Sequence, residues 1–72
     1  MKINYDPEAD ALYIELLKDP AVDNIDISED VSVDLTKERK VAGIEILNAS
    51  LYLKNELFHF ELMQSPRKST LV

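Results

Sequence analysis

Asp6, Glu8 and Asp10 stand at alternate positions of one short segment, Asp6-Pro7-Glu8-Ala9-Asp10, between Tyr5 and Tyr13. Carboxylates in the first, third and fifth places are how a calcium loop begins, but such a loop also needs a glycine in the sixth place and a bidentate glutamate in the twelfth. This chain has Ala11 and Leu17 there, so no divalent metal is expected. Paired carboxylates can also share general acid and base work, which requires a pocket that excludes water and shifts one pKa. A chain of 72 residues has little volume for one. His59 is the only histidine and cysteine is absent, which removes a multi-histidine metal site in one copy, cysteine-based zinc sites and thiol catalysis. The expectation is therefore no catalytic residue, no cofactor and no metal, with the carboxylates forming a solvated acidic turn. The alternative is a small-ligand binding module or minor enzyme built on Tyr5, Asp10, Tyr13 and Glu45.

The elements that must position these groups follow from periodicity. Ile3 and Tyr5 alternate with Lys2 and Asn4, and Leu12, Ile14 and Leu16 alternate with Tyr13 and Glu15, the period-2 pattern of half-buried strands. Between them, proline presets φ for a type I turn and the aspartate before it can accept from turn amides, so the acidic segment reads as a hairpin turn. Lys18-Asp19-Pro20 marks a second turn. Ile25 and Ile27 suggest a third strand, Val31, Val33 and Leu35 a fourth, and residues 41–47 a fifth. The only glycine, Gly43, stands inside that fifth strand, where glycine marks a bulge or a close backbone approach. Leu12, Ile14, Val33, Ile44 and Ile46 are expected to share one interior.

Asn48 has the chemistry of an N-cap, and residues 49–57 contain neither proline nor glycine, so a helix is expected to start there. A long helix would carry two apolar sides, one with Leu51, Phe58 and Leu62 and the other with Leu53, Leu57 and Phe60. The first would cover the sheet. Leu53, Leu57 and Phe60 are then the candidate interface. A rival pattern ends the helix near Glu56 and lets Phe58, Phe60 and Leu62 alternate along a sixth strand, so residues 57–62 stay open between the two.

Composition narrows the partners. The net charge of −6 opposes a phosphate-tracking surface, so nucleic acid is not expected as a partner. The charge is uneven: residues 1–34 carry ten acids against two bases, and residues 35–72 carry four against six. The acidic half suits a basic protein. No apolar stretch approaches the roughly 20 residues that span a bilayer and no secretory leader is visible, so no membrane partner is expected and the chain is read as cytoplasmic. Asn48-Ala49-Ser50 is a chance match to a glycosylation acceptor, and Ser65-Pro66-Arg67-Lys68 is one short match to a kinase target or minor-groove motif.

The stretches KINYDPEADALYIEL and VSVDLTKERKVAGIEILNAS together resemble the domain of unknown function 2283 family over about residues 2–53. The features that carry the likeness are Tyr5-Asp6-Pro7, Asp10-Ala11-Leu12-Tyr13-Ile14, Val31-Ser32-Val33-Asp34 and Gly43-Ile44-Glu45-Ile46. The resemblance implies no activity and no catalytic residues. Members resemble the second gene beside small toxin-like ribonuclease proteins, which implies an antitoxin-like role.

The fold expected is α+β: an antiparallel β-meander of about five strands with one C-terminal helix packed on one face. Residues 1–63 form a single domain and residues 64–72 a flexible tail. The function expected is that of a small non-enzymatic interaction protein, a homodimer or the neutralising partner of a small basic protein.

Overall fold

Asp6 accepts hydrogen bonds at one carboxylate oxygen from the amides of Glu8 (3.0 Å) and Ala9 (3.3 Å), and Asp10 closes the turn in the left-handed region at φ 51°. That local chemistry reverses the chain as expected for Asp-Pro. It joins β1 (Lys2–Asp6) to β2 (Ala11–Glu15) in a computed structural model that describes residues 1–66. β3 (Asp23–Asp26), β4 (Val31–Leu35) and β5 (Val41–Leu47) complete one antiparallel sheet in the order β1-β2-β5-β4-β3. β3, β4 and β5 run as a meander. The last strand then fits between β4 and β2 and so ties the first hairpin to the rest.

Register turns the alternation of the sequence into two unlike faces, because residues directly opposed in an antiparallel pair point to the same side. Ile3, Ile14, Ile44, Val33 and Ile25 oppose one another in turn across all five strands. Tyr5, Leu12, Ile46 and Val31 form a second apolar row beside it. On the other face, Lys2, Glu15, Gly43, Asp34 and Asn24 form one row and Asn4, Tyr13, Glu45, Ser32 and Asp26 the next. The five residues expected in a common interior do lie on one face, yet only Leu12 is buried. Ile14, Val33, Ile44 and Ile46 are half-buried.

Gly43 shows both features expected of it. Asp34 opposes Gly43 whereas Leu35 opposes Val41, so Ala42 is the extra residue of a bulge. The Tyr13 ring lies so close over Gly43 that a Cβ there would overlap the phenol. The bulge turns Ala42 inward, where it is buried with Leu35 and Thr36. Its carbonyl accepts from the amides of both Leu16 and Leu17, at 2.8 and 3.0 Å.

The C-terminal element is shorter than expected. α1 (Ala49–Leu53) is five residues, followed by one 3-10 turn over Lys54–Glu56. Residues 57–62 are therefore neither the continued helix nor a sixth strand. Lys54 adopts φ 49°, ψ −120°, which no helix tolerates, and the chain leaves the helical path there. Asn48 is not a side-chain cap either: it takes a left-handed conformation and donates its amide to Asp30 Oδ1 at 3.0 Å. Among the described residues no helix is long and apolar enough to cross a membrane. The Arg67 and Lys68 of the Ser-Pro motif, and most of the expected tail, lie outside the described residues.

The hydrophobic interior is small: among the described residues Leu12, Leu35, Ala42 and Ala49 are its buried members. The radius of gyration is 14.5 Å, against about 11 Å for a compact domain of this length. A single-layer sheet with one partly covered face accounts for the difference.

Candidate functional site

Two surfaces collect the residues singled out by sequence. The first is the apolar face. α1 and the segment after it cross the β1–β2 end of this face and enclose a cleft of about 300 Å³ with Ile3, Leu12 and Ile14 beneath and Leu53, Leu57, Phe58 and Phe60 above. Phe58 meets Tyr5 edge to face, with ring centroids 5.7 Å apart. Among the described residues no such cover lies over the β4–β3 end. Ile25 is 37% exposed and Ile3, at the opposite edge, 45%.

The structure places the candidate interface residues on both sides of this cover. Leu53 and Leu57 are half-buried over the sheet, whereas Phe60 is 62% exposed. The stripe expected to cover the sheet points largely to solvent instead: Leu51, Phe58 and Leu62 are 69%, 84% and 85% exposed. Within α1 itself Leu53 rather than Leu51 faces the sheet, and after it the break at Lys54 turns Phe58 and Leu62 away from the line that a continuous helix would give them. The excess apolar surface foreseen at this end of the chain is present, but on different side chains.

The second surface gathers the polar groups. Tyr5, Asp10, Tyr13 and Glu45 do not converge on one pocket, because Tyr5 and Tyr13 point to opposite faces of the sheet. Instead each of the three tyrosines donates its phenol to an aspartate. Tyr5 reaches Asp10 Oδ1 at 2.7 Å, Tyr13 reaches Asp34 Oδ2 at 2.8 Å, and Tyr52 reaches Asp30 Oδ2 at 2.6 Å. Asp10 also takes the Ser50 hydroxyl at 2.6 Å and the Ser50 amide at 3.1 Å, and its own carbonyl accepts from Ala49 at 2.9 Å. The turn aspartate thus supplies the cap that Asn48 does not.

These bonds set the electrostatics. The Ser50 hydroxyl, and then the Tyr5 phenol, hold the Asp10 carboxyl below its ordinary value. Tyr52 and Asn48 do the same for Asp30. Tyr13 is pushed up to about 12, first by its bond to Asp34, then by burial and by the charges of Asp34, Glu15 and Glu45. Carboxylates fixed in the ionised form and phenols fixed in the protonated form have little proton to exchange near neutral pH. His59 is exposed and lies between two glutamates, 2.9 Å from Glu61 and 3.6 Å from Glu56.

Sequence reasoning missed Ser50, Asp30, Asp34 and Asn24 as partners of the tyrosines and aspartates. Asn24 donates to Asp34 Oδ1 at 2.8 Å and so completes the Tyr13 group. It also missed Ile3 and Ile25 as the ends of the apolar row; their alternation was visible, but their neighbours depend on register.

No curated protein and no solved structure matches this chain. The family model described as protein of unknown function (DUF2283) matches residues 2–50, from β1 to the Ser50 that binds Asp10. The matched region holds the whole sheet and stops before the segment that partly covers it. With most of its length inside that match, the chain belongs to the DUF2283 family.

Proposed function

We propose that the chain is a small non-enzymatic protein-interaction domain whose working surface is the apolar sheet face. The observation that carries this reading is the row Ile3, Ile14, Ile44, Val33 and Ile25, five β-branched aliphatic side chains without a charge among them. Such a row left partly in water favours association, because apolar area removed from water contributes about 25 cal/mol per Å². The alternative of a ligand site or minor enzyme is weaker: Tyr5 and Tyr13 point to opposite faces of the sheet, and Tyr5, Asp10 and Tyr13 are occupied by structural hydrogen bonds. The opposite face bears Glu15, Asp34, Glu45 and Asp26 against Lys2, and such a field attracts a small basic protein, in keeping with an antitoxin-like role.

The test is the composition of the native assembly. Tagged chain taken gently from the cells that make it is weighed intact by native mass spectrometry, beside Ile25→Lys. The expected result is an assembly, with itself or with another protein, that Ile25→Lys disrupts while the strand signal in circular dichroism persists. A chain that is always single, or an assembly indifferent to Ile25→Lys, overturns the reading.

A further inference from the structure

We infer that the occupant of the apolar face is a second copy of this chain, docked face to face about a two-fold axis parallel to the strands. The inference rests on the interaction-domain reading and deepens it. Three observations point to it: area, charge and the uneven cover of the face.

The accessible surface is 6231 Å², whereas a compact monomer of 8.2 kDa exposes about 4,500 Å². Part of that excess lies on this face and its cover, where Ile25 is 37%, Ile3 45%, Phe60 62% and Phe58 84% exposed, and a standard stable pair buries about 800 Å² on each copy. Charge selects the face. A chain of net charge −6 repels its copy, and the acidic face brings Asp34, Glu45 and Glu15 against themselves. The apolar rows bring no like charges together. That makes the apolar face the side on which two copies meet with no like charges opposed in the sheet rows, leaving only the long-range repulsion of their net charge.

The cover selects the arrangement. Residues 53–60 lie over β1 and β2, and among the described residues none covers β4 and β3. A two-fold axis along the strands, lying between the two sheets above the central β5, sets the covered half of each copy against the open half of the other. Phe60 of one copy then faces Ile25 of its partner, and the two contacts are equivalent. Exposed aromatics and exposed sheet are satisfied together.

Purified protein at about 100 μM is examined by sedimentation equilibrium. Wild type is expected at twice 8.2 kDa. Raising salt should tighten the dimer, because screening relieves repulsion between like-charged copies, whereas salt loosens a complex with a basic partner. Ile25→Lys and Phe60→Asp each place a charge in the contact, and each alone should raise the dissociation constant by roughly 100-fold. Their equimolar mixture should regain a dimer, since one contact becomes Lys against Asp and the other is wild type. Both positions are exposed, and the salt series on wild type needs no variant.

A monomeric wild type overturns the second copy while leaving the native-assembly measurement free to find another protein on the same face. Variants that stay dimeric, a mixture that fails to pair, or a dimer loosened by salt also overturn it. If the native assembly itself ignores Ile25→Lys, the interaction reading falls as well.

Discussion

Three phenol-to-carboxylate bonds tie separate segments of this protein together, and in two of them, Tyr5 with Asp10 and Tyr52 with Asp30, a phenol that resists losing its proton meets a carboxylate that resists gaining one. Tyr13 is the most strongly affected. Its folded pKa of about 12 lies above the ordinary 10.0, so the bond to Asp34 contributes stability that is whole below about pH 10 and is lost as pH rises through 12. Melting temperature should therefore fall across that interval, followed together with tyrosinate absorbance. In Asp34→Asn the fall should be shallower and one tyrosine should ionise earlier. Equal profiles would mean that Tyr13 does not feel Asp34. Much of this residue chemistry was hidden in the sequence for a geometric reason: Asp10 and Ser50 are 40 positions apart, and nothing local announces that a turn aspartate caps a distant helix. The Asp6 turn was legible because its donors are two and three residues away.

Among the elements, the strands were readable and the helix only in part. Period-2 runs located all five strands, since each has one face toward an apolar row. The helix start was legible, but its end was misread because Lys54 carries no breaker signature, and its backbone is set by tertiary demands rather than by its own preference. A non-glycine residue in that region costs about 1–3 kcal/mol. Lys54 is exposed, so Lys54→Gly removes the cost without removing a packed side chain. Part of the gain is offset by the greater unfolded-state freedom of glycine. The expected net gain is about 1 kcal/mol, or a melting point higher by about 4–8 °C in calorimetry. A lower melting point would show that the kink is not held at this residue.

For the molecule as a whole, strand order was the part that pattern could not supply. Alternation says which side chains share a face but not which strands are neighbours, and the pairing of β2 with β5 depends on contacts between residues about 30 positions apart. The thin interior was foreseeable from length alone, because a chain this short hides only about 60% of its surface. The missing area is what two copies are expected to supply.

The placement of β5 at the centre of the sheet also fixes a timetable. The ribosome delivers this strand last, so for most of synthesis the growing chain holds two hairpin-like halves with nothing between them. β2 and β4 each present an unpaired edge during that interval, and unpaired edges recruit other chains. A fragment of residues 1–40 should accordingly lack a cooperative thermal transition in circular dichroism, and adding a peptide of residues 41–50 should restore one; a fragment that melts cooperatively by itself would contradict this. On this topology the two halves are expected to join cooperatively only once Val41–Leu47 is available. Both strands that flank the gap carry an acid opposite Gly43, Glu15 on β2 and Asp34 on β4, and like charges at such edges oppose pairing between copies.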